Sequence, residues 1–564
     1  MAFLNKITAI GLGVSLMFGM LPLTKPSAAE QKEPMTFDYH IGESVTYYTQ
    51  DNKVSSADTY KSSQWALEND GSFTDKSGLN NSDYYGTGPW DGYPGGNWGR
   101  GWYWGFGSKG WSAIEQSSAV EDIDINMDEA REIYSSKSSA KEVVVALIDT
   151  GVDYTHEDLA DSIWVNEDEI PNNGIDDDKN GFIDDVCGWN FYDNSNKVYT
   201  GSSDEHGTHC AGTIAAKTDN GVGIASVTGG TNVKVMVLKA LGGSEGTGET
   251  ISIIQAIRYA EANGASIVNL SLGSYYSDEL LYNTIASSSM LFVVASGNGD
   301  YYTGRGSNND TTPCYPASYD LDNIISVANI SYDGTLDSSS NYGARSVDLA
   351  APGTSIISTV PGNKYEYLTG TSMSAPFVTA AAALVYSYYE NITLSDVKEI
   401  LLNSVKKLDS LSGKTVSGGM LDVSAALSYN TSKLSHKKFV SLAATGSAPE
   451  FSYEVYTQNN KLYISINVID ADRDLYALYY ADGKLSAADF AYGLNGKSFT
   501  LRNSLASFVS TDYGTYTFYA LDSAGHETVL TINLSEEKIE ERATDNTQYY
   551  ERPGRRNSMP RRPF

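Results

Sequence analysis

Residues 143–148 form an unbroken, largely β-branched apolar run, and similar runs recur at 233–238, 266–270, 291–295 and 324–328. Apolar runs of this length without alternation predict strands buried on both faces of a parallel sheet. Helical stretches such as 250–263 lie between several of them, so the pattern predicts an α/β fold, a parallel β-sheet flanked by helices. From about 437 the texture changes. Residues 462–468 and 514–522 alternate apolar with polar side chains, and turn residues separate such segments over roughly a hundred positions. These predict a small all-β sandwich domain over 437–535, following an α/β domain over 64–430.

Gly370-Thr371-Ser372-Met373-Ser374-Ala375-Pro376 runs into a chain of alanines and predicts a tightly packable helix. Ser372 and Ser374 are both able to satisfy first-turn amides. A serine in that place also faces the free N–H groups and positive end of the helix, which favour a developing negative charge. Alone, the stretch reads as a capped helix.

Composition narrows the setting. Acidic residues outnumber basic ones, 70 to 39, for a formal net charge of −31. That balance argues against a nucleic-acid surface and for a soluble, extracellular protein. Lys6, the apolar stretch 7–23 and the small residues Ser27-Ala28-Ala29 predict a signal peptide over 1–29, and hence a secreted or cell-surface protein. Residues 30–63 form a short polar segment. An insertion at about 70–120 carries Trp90, Trp98, Trp102, Trp104 and Trp111; it reads first as a compact aromatic surface loop, and second as a sugar or substrate platform. The last segment, 536–564, reads as a disordered basic tail ending in Arg561 and Arg562. Cell-wall association through the tail or the β module is the corresponding partner expectation, and the chain is expected to be monomeric. Three cysteines, Cys187, Cys210 and Cys314, are too few for a disulfide framework and form no zinc pattern.

Four motifs then stand in order: Asp149-Thr150-Gly151-Val152-Asp153; His206-Gly207-Thr208-His209-Cys210-Ala211-Gly212; Ser296-Gly297-Asn298-Gly299; and the Ser372 stretch. Together they resemble the subtilisin-like serine proteases, the subtilases, over roughly 64–430. The resemblance implies a secreted endopeptidase acting on proteins or peptides through an acyl-enzyme. Ser372 would be the nucleophile, His206 the base and Asp149 its orienting carboxylate, with Asn298 and the Ser372 N–H stabilising the oxyanion. It further implies substrate contacts from Ser271, Leu272 and Gly273 on one wall and Ala295, Ser296 and Gly297 on the other, with Cys314 at the pocket base. Cys210 is expected to pack beside His206. A catalytically silent adhesin is the rival reading, against which all four key side chains are present.

Residues 173–185 place oxygen side chains at alternate positions around Gly181, a composition suited to a hard cation, although the terminal glutamate of an EF-hand loop is missing. Structural Ca2+ is therefore expected at Asp176, Asp178, Asn180 and Asp184. The resemblance adds a second candidate at Asp158, with the loop around Asn220.

Overall fold

The computed structural model describes residues 58–74, 102–103, 118–137, 140–243, 246–299 and 304–439, and much of 447–541 in shorter runs. The expected signal peptide, nearly all of segment 30–63, most of the aromatic insertion and all of the expected tail except 540–541 lie outside the described residues; 540–541 are not disordered but pair as a strand with Tyr456 and Thr457.

A nine-stranded sheet organises the α/β domain. Its strands are β1 (Val143–Asp149), β2 (Gly188–Asn190), β3 (Val233–Lys239), β4 (Ile267–Leu270), β5 (Leu291–Ala295), β6 (Ile324–Ile330), β7 (Leu349–Pro352), β8 (Lys406–Lys407) and β9 (Gly419–Met420). Their spatial order is β8-β9-β7-β6-β5-β4-β1-β3-β2. Every pairing is parallel except β8 with β9. All five apolar runs of the sequence are strands of this sheet, and β5 and β6 are buried at every position.

From β1 the chain fills one side of the sheet with β2 and β3, then crosses to place β4 to β7 on the other. The order therefore reverses at β1, whose carboxyl end carries Asp149, and open parallel sheets bind their ligands outside such a reversal point. The flanking helices are α1 (Met127–Ser135), α2 (Glu205–Ala215), α3 (Thr250–Ala262), α4 (Glu279–Ser287), α5 (Thr371–Tyr388), α6 (Leu394–Asn403) and α7 (Val423–Leu427). Helix α5 is buried around nearly its whole circumference, because Ala380 to Ala383 let it lie close against the sheet. Neither serine caps it: no side-chain bond closes its N-terminus. The Ser372 hydroxyl turns instead to the Ser271 carbonyl, while the Thr371 N–H goes to the Asn298 side chain and the Met373 N–H to the Gly370 carbonyl.

Residues 450–541 form two four-stranded sheets, one ordered 505–510, 461–469, 450–458, 540–541 and the other 497–498, 475–482, 515–522, 527–533. Leu462, Ile464, Ile466 and Val468 line one inner face, opposed by Leu478, Phe518, Ala520 and Ile532. This is the small, mostly antiparallel β domain that the alternation predicts. The strand 475–482 packs on α4, and both belong to one apolar cluster. In the aromatic insertion, the backbone of Trp102–Tyr103 pairs antiparallel with Thr247–Gly248. Among the described residues no helix is long and apolar enough to cross a membrane.

Candidate active site

Asp149 ends β1 and His206 lies in the first turn of α2, both about 1% exposed. The imidazole Nδ1 meets Asp149 Oδ1 at 2.8 Å, and the same oxygen accepts the Thr150 N–H at 2.6 Å. A ring nitrogen facing a carboxylate carries the proton, which leaves Nε2 as the basic nitrogen. The glycine after His206 is required by this approach: a Cβ on Gly207 would come 2.2 Å from the Gly151 carbonyl.

Ser372, 5% exposed, stands at the second position of α5, and its hydroxyl donates to the Ser271 carbonyl at 3.2 Å. The Ser271 hydroxyl in return donates to the Ser372 carbonyl at 2.9 Å. Ser271 is itself held by Asn269 Nδ2 at 3.0 Å, whose Oδ1 accepts the Thr379 hydroxyl at 2.8 Å. Cys210, one helical turn beyond His206, sends its thiol toward the Ser372 carbonyl at 3.6 Å. Its sulfur also lies within 4.8 Å of Asp149 and His206 ligand atoms, so Cys210 joins the two halves of the site. Burial pushes its thiol well above the usual range, so it stays protonated.

Asn298 follows β5 between Gly297 and Gly299, both in the left-handed region. Its Oδ1 accepts from both the N–H and the hydroxyl of Thr371, each at 2.8 Å. With the oxygen so engaged, the Nδ2 donors lie on the side of the α5 N-terminus, 3.1 Å from where a Cβ on Gly370 would sit. Asn341 holds the loop from behind, donating to the Ser296 carbonyl at 3.1 Å and accepting the Gly299 N–H at 3.0 Å. Neither Thr371 nor Asn341 was singled out by sequence reasoning, although the threonine adjoins Ser372.

Residues 140–422 match the subtilase family, which is half of the chain. The chain belongs to that family. It is 36% identical over 303 residues to subtilisin-like protease 1 of Plasmodium vivax, covering 50% of this chain and 46% of that protein. It is 36% identical over 257 residues to the thermophilic serine proteinase of Bacillus sp. strain AK1, covering 45% and 54%. It is 35% identical over 304 residues to the major intracellular serine protease of Bacillus subtilis, covering 52% and 85%. The chain thus spans about half the length of the first two relatives and most of the third.

In this subtilase the two expected walls flank the Ser372 helix. Ser271 and Leu272 are buried and Gly273 is half-buried; opposite them Ala295 and Ser296 are buried and Gly297 is half-buried. Cys314 lies between them. Its sulfur would be 2.9 Å from a Cβ on Gly273 and 3.1 Å from one on Gly297, so both walls need glycine there. Burial pushes its thiol up to about 12. At the rim, the Tyr275 hydroxyl bridges the walls to the Gly299 carbonyl at 2.8 Å.

In the acidic loop, Asp176, Asp178, Asn180 and Asp184 all hydrogen-bond within the loop. Asp184 accepts the backbone N–H groups of Asn173 and Gly174, and Asp176 those of Asn180 and Gly181. Asn180 donates its amide to Asp178 and Asp185. The carboxylates that converge are Glu169, Asp178 and Asp185, within 4.8 Å of one another. Burial raises the carboxyls of Glu169 and Asp185. Asp158 accepts Asn220 Nδ2 at 2.8 Å and the Ile224 N–H at 2.9 Å, and burial pushes it up to about 6. Asp58, which sequence reasoning missed, takes the N–H groups of Asp219 and Asn220 in the same loop, each at 2.9 Å.

Proposed function

We propose that the chain is a secreted serine endopeptidase that cleaves proteins or peptides through an acyl-enzyme, with Ser372 as nucleophile, His206 as base and Asp149 as its orienting group. The Asp149–His206 bond at 2.8 Å, joined through Cys210 to the helix turn that carries Ser372, is the observation that carries this reading. In the reaction the Ser372 hydroxyl turns from the Ser271 carbonyl and gives its proton to His206 Nε2 as Oγ bonds to the scissile carbonyl carbon. The new oxyanion accepts from Asn298 Nδ2 and the Ser372 N–H, donors fixed before the charge develops. The C–N bond then breaks, the imidazolium protonates the departing amine, and water repeats the sequence to free the enzyme. The signal-peptide pattern at 1–29 supports export.

The donor sets also suit calcium. Each candidate site gathers buried or half-buried carboxylates with an asparagine amide against them and no cationic side chain among the groups just named. Glu169, Asp178 and Asp185 would hold one ion; Asp158, with Asp58 and the Asn220 loop, would hold another. A bound ion would supply counter-charge that rigidifies these loops.

A serine-directed phosphonate should label the protein once, at Ser372. Ser372→Ala should abolish both labelling and peptide hydrolysis, while Asn298→Ala should keep labelling and lose about 10²–10³ in turnover, the range for such a donor in a related enzyme. Full hydrolysis by the Ser372→Ala protein overturns the reading.

A further inference from the structure

Lys239 closes β3 and is among the largest wholly buried side chains of the described residues. Its ammonium pairs with Asp204 Oδ1 at 2.8 Å and donates to the Thr150 carbonyl, with neither charged side chain exposed. An ion pair taken wholly out of water is a poor source of stability, because desolvating two charges offsets most of their attraction. Its presence calls for another account, which lies in the segments it joins.

Thr150 directly follows Asp149, and Asp204 is the N-cap of α2, two residues before His206. The two segments are cross-linked again by the Gly207 N–H to Thr150 Oγ1 at 3.0 Å. The Asp204 carboxylate also takes the backbone and hydroxyl of Thr200, and its carbonyl accepts Thr208 Oγ1 at 2.7 Å. A Cβ on Gly151 would lie 3.0 Å from the Asp204 carboxyl carbon, so the strand exit is packed directly on that side chain. The Tyr192 ring centroid lies 5.9 Å from the ammonium. One buried cation thus binds the exit of the strand bearing Asp149 to the start of the helix bearing His206.

We propose that Lys239 is a positioning residue for the Asp149–His206 pair, its ammonium, balanced by Asp204, fixing how the carboxylate meets the imidazole. This rests on the protease reading above. Small displacements of an aligned proton-transfer group cost about a hundredfold in rate, and they act on turnover rather than on substrate affinity.

The test compares Lys239→Met, Asp204→Asn and the double variant with the full chain. Active sites are counted by phosphonate titration, so only folded enzyme enters kcat. The double variant removes both charges at similar volume, which avoids a stranded buried carboxylate. Expected for Lys239→Met and for the double variant is a kcat per titrated site about a hundredfold lower with KM unchanged. The far-downfield proton resonance of His206 Nδ1–H should also shift. A core variant in α3, Ile257→Val, should keep wild-type kcat per site whatever its melting temperature. A double variant with wild-type kcat per site and an unshifted resonance overturns the positioning role. Wild-type protein that takes no phosphonate overturns the protease reading instead, and the two failures are distinguishable.

Discussion

Pro376 stands four residues after Ser372 in the same helix, so the Ser372 carbonyl lacks its regular helical N–H partner and takes the Ser271 hydroxyl at 2.9 Å instead. The proline turns the Ser372 carbonyl into a fixed anchor between α5 and the Ser271 segment. Ser271→Ala should therefore leave a buried acceptor served only by the Cys210 thiol and destabilise the protein by about 1–3 kcal/mol. Pro376→Ala restores a helical N–H to that carbonyl. Denaturant melts of the two single variants and the double should be non-additive, the double recovering part of the loss. Strict additivity would mean that the carbonyl was satisfied some other way.

His209 lies wholly inside α2 with Nε2 facing the carbonyls of Ile356 at 2.9 Å and Glu366 at 3.2 Å, and burial holds its imidazole down at about 3 against an ordinary 6.5. Folding therefore favours the neutral ring, while the unfolded chain takes up a proton below 6.5. The sign follows: the contribution is complete above 6.5 and is lost as pH falls toward 3. Melting curves of wild type and His209→Gln should converge across that window, the variant starting lower at pH 8. Parallel curves would exclude His209 as the source of acid lability.

Much of this site was legible in the sequence because its parts are local. The β1 run announces a buried strand, its last residue must stand at the sheet's carboxyl edge, and Asp149, His206, Asn298 and Ser372 each sit inside a short motif. The supports were not legible, because they are polar pairs made across long separations. Lys239 at a strand end reads as a solvated lysine until Asp204, 35 residues away, meets it in the interior. Asp58 finds its partners 161 and 162 residues on. In the acidic loop the alternation of oxygens could not reveal that Asp184 accepts the backbone amides of Asn173 and Gly174, nor that Glu169 folds back onto Asp178 and Asp185.

Calcium removal gives a direct check on that last point. An ion that binds only the folded protein adds about 2.7 kcal/mol at a hundred times its Kd, so chelator should lower the melting temperature and added calcium restore it. The response should shrink in Glu169→Gln/Asp185→Asn and, separately, in Asp158→Asn. A full response in both variants would place the cation elsewhere.

The β domain provides the last prediction. Every group proposed for catalysis lies before residue 430, which favours independence. The contacts oppose it. Leu475 and Leu478, on the strand that packs against α4, share an apolar cluster with Leu280, Leu281 and Ile285 of that helix. The connecting segment is also docked, through His436 Nδ1 to Asp396 at 3.0 Å and the Thr393 hydroxyl to the Lys437 carbonyl at 2.6 Å. Cutting after Asn430 should therefore uncover apolar surface on α4 and release the docked segment. The shortened protein should melt several degrees lower and aggregate more readily, while kcat on small peptides per titrated site stays at the full-length value. Cutting after Lys438 keeps the docked segment and should recover part of the melting temperature. An unchanged melting temperature in both would mean that the β domain is a tethered passenger, and a lowered kcat per site would mean that α4 transmits its packing to the adjoining cleft wall at Ser271–Gly273.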